Sequence, residues 1–545
     1  MNAERLLAHY ERMADAPDAI AGLRRFILDL AIRGKLVSQD MNDEPAAALL
    51  KRIAKEKARL HRKERTKREP RNLNSDAEPV QLPKGWALAP LADLATVLNG
   101  RAYKQDELLS AGTPVLRVGN LFTSDHWYYS TMQLEEDKYC EKGDLIFAWS
   151  ASFGPFIWSG EKVIYHYHIW KLLLHSEADF DKLYFYNFLL QKTREIKEAG
   201  HGISMIHMTK EKMELIQVPV PPLAEQRRIV AKVDELMALC DRLEAARGNR
   251  ETMRDRLAAA SLARLNAPDP ETFRTDVRFA LGALPALTAR PDQIRQIRQT
   301  ILNLAVRGQI VPQDLGDEPA SVRHGYEAPE PDDRLNAEIP PSWRWVRVED
   351  VADARLGKML DKAKNKGRPY PYLRNTNVHW FDIRLNDLKT IPLNDAEFEE
   401  YRLKNGDVLI CEGGHGIGRT AVWRGGPENL VFQKALHRVR PGKHLDPGFF
   451  AQCCFVYFDT GIMQTYFTGV GIQHFTGRAL AKLVFPLPPL AEQHRIVAKV
   501  DALMTLCDRL EASLTTTAAT RRRLLDALLA EALAPAEDRE LKAAE

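Results

Sequence analysis

The residues that could do chemistry are few and weakly arranged. His166 and His168 flank one tyrosine in VIYHYHIW, so on a strand both imidazoles would share a face, as at a metal site. No third ligand is evident, and the Trp and Tyr neighbours suit a packed or nucleic-acid-facing strand better. Asp181 followed by Glu195-Ile196-Lys197 fits the letters of a nuclease D…ExK pattern, but the segment 181–199 reads as one helix rather than paired strands. Gly414, Gly416 and Gly418 are a fragment of GxGxxG without the βαβ context that gives it meaning. No GxxxxGK[ST] loop and no Asn-Pro-Pro-aromatic or Asp-Pro-Pro-aromatic tetrapeptide occurs. The chain thus reads as a non-catalytic binder with no metal or cofactor of its own.

Other loops carry a different chemistry. Gly143–Gly154 places Trp149, Ser150, Ser152 and Gly154 after an apolar run, and 406–419 places His415, Gly416, Gly418 and Arg419 after another. Small residues there let backbone N–H groups approach phosphates closely. A second loop pair, 200–210 and 469–478, offers His201, Ser204, His207 and Lys210 in one copy, and Gln473, His474 and Arg478 in the other. Arg117 with Asn120, and Arg374 with Asn377, repeat an Arg-x-x-Asn spacing; arginine suits guanine and asparagine suits adenine in direct base reading. Each of these residues also has a plain reading as a turn former or structural hydrogen-bonder. Their recurrence at matching places favours nucleic acid for the set.

These loops must be positioned by elements, and the elements are duplicated. PPLAEQRRIVAKVDELMALCDRLEA (221–245) recurs at 488–512 with 22 of 25 residues identical. ILDLAIRGKLVSQDMNDEPA (27–46) recurs at 301–320 with 13 of 20 identical. Weaker echoes keep the same order: LPKGW with IPPSW, KGDLIF with NGDVLI, and GISMIHMT with GIQHFT. The chain is two half-chains, each with a helical lead-in, a mixed domain and a long helix. The expected fold class is α+β: two mixed target-recognition domains separated by long antiparallel coiled-coil helices, with an internal pseudo-two-fold repeat. The expected domains are 1–80, helical with a basic stretch; 81–222, recognition domain one; 223–335, a central helical region; 336–488, recognition domain two; and 489–545, a C-terminal helical region.

Strands are expected at 115–118, 144–149, 156–158 and 163–174, then at 370–374, 407–411, 421–423 and 436–439, with helices over 181–199 and 447–458. In each long helix the apolar residues step by 4, 3, 4, 3. They are Ile229, Val233, Leu236, Cys240 and Leu243, then Ile496, Val500, Leu503, Cys507 and Leu510. That is a coiled-coil seam, and the two copies are expected to pack on each other, with charges such as Glu225 and Arg228 on the other faces. A helix over 223–262 would span about 60 Å. It is the right size of spacer for two contact sites on one duplex, and equally for two copies of a protein partner.

Composition sets the outer bounds. With 545 residues, 45% hydrophobic and 28% charged, the chain is ordinary globular protein, neither collagenous nor disordered. No apolar run reaches transmembrane length and the first residues lack a secretory core. Six cysteines without a CxxC pair, two of them adjacent, fit a reduced cytoplasm. Residues 51–71 carry eleven Lys/Arg against three Glu, in a chain whose net charge is +3. The stretch suits a solvated helix end or a phosphate contact.

As a set, the duplicated PPLAEQ helices, the two divergent middle domains, the LA(I/V)RG…QD…DEPA segment and the loops GDLIFAWSASFG and GDVLICEGGHGIG resemble the specificity subunit of type I restriction–modification systems, most closely the IB-type branch. The resemblance covers essentially the whole chain. It implies that each recognition domain reads one half of a bipartite, asymmetric site on double-stranded DNA while the helices set the spacer. It implies two methyltransferase subunits (HsdM) that use S-adenosylmethionine, and motor-nuclease subunits (HsdR) that use ATP and Mg. The basic stretch has no counterpart after Ala320, where the sequence turns acidic. Two alternatives stay open: an enzyme in its own right, which the missing motifs argue against, and a scaffold or decoy subunit without a productive target.

Overall fold

The computed structural model describes residues 16, 18–64, 82–150, 153–199, 208–266, 269, 271–322, 326–331, 339–361, 363, 365–414, 416–471 and 473–533, excepting the side chains of 61–64, 198–199 and 532–533. The chain forms two compact units, Met1–Asn249 with Ala518–Glu545, and Arg250–Thr517. Both boundaries fall inside long helices, whereas the motif-based division places them at the helix starts.

In the first unit, α1 (Ala19–Ile32) buries a helical stripe containing Phe26, Ile27, Leu30 and Ala31. Helix α2 (Ala46–Glu64) buries Ala46, Leu49 and Ile53 along one stripe, with Leu50 packed at its edge, and is otherwise rich in Lys and Arg. Ten strands follow: β1 (Ala87–Pro90), β2 (Ala95–Asn99), β3 (Thr113–Leu116), β4 (Tyr128–Ser130), β5 (Tyr139–Cys140), β6 (Leu145–Ala148), β7 (Gly154–Ile157), β8 (Val163–Tyr165), β9 (Ile169–Leu174) and β10 (Gln217–Val220). Helix α3 (Lys182–Ala199) precedes β10, and α4 (Leu223–Asn266) follows it. The sheet orders are β2-β9-β6-β7 and β4-β3-β8-β5, with β1 paired to β10. All neighbours are antiparallel except β3 and β8, joined at Val115–Ile164 and Leu116–Tyr165.

The second unit repeats this plan. Helix α5 (Phe273–Gly282) leads to α6 (Pro291–Val306), whose proline sits where the first turn needs no N–H. Its strands are β11 (Arg344–Arg347), β12 (Ala352–Leu356), β13 (Arg368–Leu373), β14 (Val378–His379), β15 (Asp382–Ile383), β16 (Lys389–Leu393), β17 (Val408–Cys411), β18 (Thr420–Val422), β19 (Val431–Phe432), β20 (Leu436–Pro441) and β21 (Val484–Leu487). Helix α7 (Pro447–Asp459) precedes β21, and α8 (Leu490–Leu533) follows it. The orders β12-β20-β17-β18, β16-β13-β19 and β11-β21 follow those of the first unit, including a parallel pair at Tyr372–Val431 and Leu373–Phe432, but no described strand takes the place that β5 has beside β8; β14 and β15 form a small extra ladder. The fold class is α+β, as expected.

Central strands β6 and β17 are buried at every residue, so they read as continuous apolar runs rather than alternations. The shared Gly-Asp before each has a local cause. Asp144 and Asp407 accept from the backbone N–H of Glu141 and Lys404, both at 2.7 Å. They also pair with Lys171 and Arg440, both at 2.6 Å. Helices α3 and α7 start on aspartates: Asp181 Oδ1 accepts from Leu183 and Tyr184, and Asp446 Oδ1 from Gly448 and Phe449. Asp181 is thus a helix cap. Glu195 lies 14 residues along the same helix, about 20 Å away, and pairs with Lys192, so no nuclease site forms there.

The seam residues have neighbours other than those a pure coiled coil would supply. Ile229, Val233 and Cys240 are buried in the core of the first unit, with Leu236 packed at its edge, among residues of α1, α3 and the sheet. Ile496, Val500 and Cys507, with Leu503 at the edge, occupy the same place in the second unit beside α6 and α7. Arg24 of α1 binds Asp241 and Glu244 of α4, and Arg298 of α6 binds Asp508 and Glu511 of α8, which fixes the lead-in helix against the seam. Leu243 is half-buried and Leu510 exposed. All six cysteines are buried and unbridged. Among the described residues no helix is long and apolar enough to cross a membrane, and no group of three or more His, Cys, Asp or Glu is placed to hold a metal.

Candidate nucleic-acid interface

The duplicated PLAEQ motif is a clamp that holds each mixed domain on its long helix. Glu225 is 1% exposed, not on a solvent face, and its Oε2 accepts from Trp86 Nε1 at 3.0 Å. Glu492, equally buried, accepts from Trp343 Nε1 at 3.0 Å. Burial pushes both carboxyls above their ordinary range. Gln226 accepts from the backbone of Asp181, the cap of α3, and donates to Pro221 O. Gln493 does the same with Asp446, His444 O and Pro488 O. Arg228 and Arg495 reach the lead-in segments through Asp43 and Asp317, both at 2.6 Å. Lead-in, long helix and mixed domain are therefore tied at one point in each unit. The near-identity of the helices signalled a shared task, but only the fold shows that the task joins Trp86 and Trp343 to these glutamates.

In the second unit three of the expected segments converge. Gly413 forms an antiparallel bridge with His474, and Phe475 N donates to Glu412 O at 2.7 Å. His474 Nδ1 lies 3.1 Å from Glu412 Oε1. Asn375 Nδ2 contacts Gly413 O at 3.4 Å, which brings the Arg374 loop to the same place. Gln473 and Arg478 are exposed there, with Gly416 and Arg419 half-buried beside them.

In the first unit Arg117 is exposed, its guanidinium stacked over Tyr128 at 5.0 Å. Nearby, His166, Tyr167, His168 and Trp149 make a continuous aromatic cluster; Trp149 also stacks on Trp170 at 5.5 Å. Lys210 is half-buried at the start of a short helix, Lys210–Glu214, capped by Thr209; Thr476 caps Gly477–Ala481 in the same way. So the threonine of that loop pair is a cap in both copies.

Several nominated residues are occupied with structure. Asn120 and Asn377 each accept from the backbone of the preceding arginine (3.1 and 2.9 Å) and donate to carbonyls of the next loop, His126 O and Arg384 O. Asn377 is buried, so it cannot reach an adenine. Arg374 is held by Asp387, through the carbonyl at 2.8 Å and the carboxylate at 2.6 Å. Trp149 donates to Tyr167 O, and Ser150 is buried. Gly154 lies within β7 rather than in a loop. Gly418 is buried with φ +80°, and a Cβ there would press on Met463 and Phe458; it serves packing, not phosphate. Ser152, His201, Ser204, His207 and His415 lie outside the described residues. The described part of the basic stretch is largely paired: Arg52 with Glu44 and Asp179, Lys57 with Asp93, Arg59 with Glu56.

Two mixed domains with the same strand order, carried by duplicated helices and presenting dissimilar polar loops, define a bipartite recognition protein. The chain belongs to the family of the type I restriction modification DNA specificity domain, which matches residues 83–250 and 340–518. Among its relatives, the EcoAI specificity subunit of Escherichia coli is 28% identical over 93% of both chains. The EcoEI specificity subunit of the same species is 26% identical over 94% of both. The crystal structure of the HsdS subunit from Thermoanaerobacter tengcongensis superimposes with a TM-score of 0.42 at 20% identity, over 84% of this chain and 98% of that one. The chain is a DNA-recognition subunit of a type I restriction–modification system.

Proposed function

We propose that each mixed domain reads one half of a bipartite, asymmetric DNA site, and that α4 and α8 set the unread spacer between the halves. The observation that carries this reading is the matched Trp–Glu clamp on two domains whose loops differ: one scaffold is built twice and given two side-chain sets. The subunit is non-catalytic and acts in the cytoplasm. Its partners are two methyltransferase subunits, which supply S-adenosylmethionine, and motor-nuclease subunits, which supply ATP and Mg chemistry. Target adenines are flipped out of the duplex into the methyltransferase partners.

The test is a genome-wide map of N6-methyladenine with the gene present and deleted. One motif of the form half-site, fixed spacer, half-site should vanish on deletion. An unchanged map would favour a scaffold subunit with no productive target.

A further inference from the structure

The tip between β8 and β9 and the tip between β19 and β20 are held by the same backbone hydrogen bonds. In the first unit His166 N donates to Leu116 O (2.9 Å), Tyr167 N to Arg101 O (3.0 Å) and Ile169 N to His166 O (2.9 Å), while His168 O accepts from Trp149 N (3.1 Å). In the second, Gln433 N donates to Leu373 O (3.1 Å), Lys434 N to Lys358 O (2.9 Å) and Leu436 N to Gln433 O (2.9 Å), while Ala435 O accepts from Glu412 N (2.9 Å). A glycine makes room for each tip. A Cβ on Gly100 would collide with the carbonyls of Tyr165 and His166, and one on Gly357 with that of Gln433.

The side chains on these matched backbones share nothing: His166-Tyr167-His168 in one unit, Gln433-Lys434-Ala435 in the other. Each tip is held by backbone groups alone in these matched bonds, so the bracket places no demand on side-chain type. Tyr167 and Lys434 stand exposed at the apex. Each tip also adjoins the loops already gathered at its face, Trp149 in the first unit and Glu412 in the second. Burial, His168 and Arg117 lower His166 to about 4, so its ring is neutral near pH 7 and offers one donor and one acceptor. Lys434 offers donors only.

We propose that these two tips determine the sequence specificity of the two domains: Tyr167 and His168 read bases of one half-site, and Lys434, flanked by Gln433, donates to the O6/N7 acceptors of a guanine in the other. This rests on the half-site reading above. A lysine on phosphate would weaken binding to all sequences alike, whereas a lysine on a base relaxes one position.

The test maps N6-methyladenine in cells carrying the full-length chain with its methyltransferase partner. The variants are Lys434→Ala, Lys434→Arg, Tyr167→Ala and His168→Ala. Lys434→Ala should relax one guanine position in one half-site, raising methylation of mismatched sites relative to matched ones by roughly tenfold or more. Lys434→Arg should keep that guanine, and Tyr167→Ala and His168→Ala should alter the other half-site only. A wild-type motif that every variant methylates with unchanged tolerance would overturn the tip assignment and leave the half-site reading standing. A uniform loss over all sites in Lys434→Ala, restored by Lys434→Arg, would place Lys434 on phosphate and equally overturn it. Absence of any bipartite motif in the wild type would sink the half-site reading itself.

Discussion

The two units hold the same clamp but support it differently. In the first, α2 crosses over the mixed domain and pins it with Arg52 to Asp179 and Lys57 to Asp93. In the second no helix occupies that place among the described residues; the chain after Ala320 packs Val322 and Tyr326 on the core, and Tyr326 donates to Asp350 at 2.8 Å. The clamp glutamates differ too. Glu492 Oε1 accepts from Gln313 at 2.6 Å, whereas Glu225 Oε1 is buried without a hydrogen-bond partner among the described residues. Duplication has preserved what holds the domain and let its surroundings diverge. The lesson is that near-identity between two copies marks the joint, while divergence marks the reading surface and its props.

Removal of the clamp tryptophans should break the comparison most severely. Trp86→Ala and Trp343→Ala each delete a buried ring and strand a carboxylate, and should cost about 3–5 kcal/mol in denaturant unfolding followed by circular dichroism. Equal losses would establish the two joints as equivalent; a loss for Trp343→Ala alone would show that α2 compensates in the first unit. Gln226→Ala and Gln493→Ala come next, at roughly 2–3 kcal/mol, because each glutamine bridges a helix cap and a carbonyl in a buried place.

The clamp carboxyls give a smaller, pH-dependent effect. Their values in the fold are raised, so their contribution to stability is complete below the ordinary carboxylate range and is lost as pH rises through the raised values. Glu225→Gln and Glu492→Gln should each flatten that decline. The change should be greater at Glu225, whose second oxygen lacks a partner; a flat wild-type profile from pH 4.5 to 7.5 would contradict this. Smallest is the loop pair. Asn377→Ala should cost about 1 kcal/mol, and Asn120→Ala less, since only Asn377 is buried. Equal melting temperatures for both variants and the wild type would show that these loops are held by other contacts.

Much of the architecture was legible because it is written twice. The repeat exposed the half-chains and the long helices, and apolar runs marked several of the strands, but the sheet order and strands such as β1, β10, β11 and β21 came only from the fold. Boundaries came within a few residues where an aspartate or proline starts a helix, as at Asp181 and Pro447. The segment 163–174 read as one strand because both flanks are apolar; the turn at 166–168 depends on Gly100, more than sixty residues earlier, which leaves no local signal. The Arg-x-x-Asn pairs looked like base readers because arginine and asparagine have the same donors whether they face DNA or their own loop. Only burial and partners distinguish the two uses, and they assign Asn377 to its loop.

The sequence by itself determined that this protein is one scaffold built twice, because a repeat and an apolar period are properties of the chain. It also determined the family, through a set of motifs spread over the full length. The tertiary structure decided which charged residues are buried, which polar side chains are already spent, and which short stretches face outward on matched backbones. Those are properties of neighbours distant in sequence: Glu225 meets Trp86, and Gln433 meets Gly357, only after the strands between them have paired.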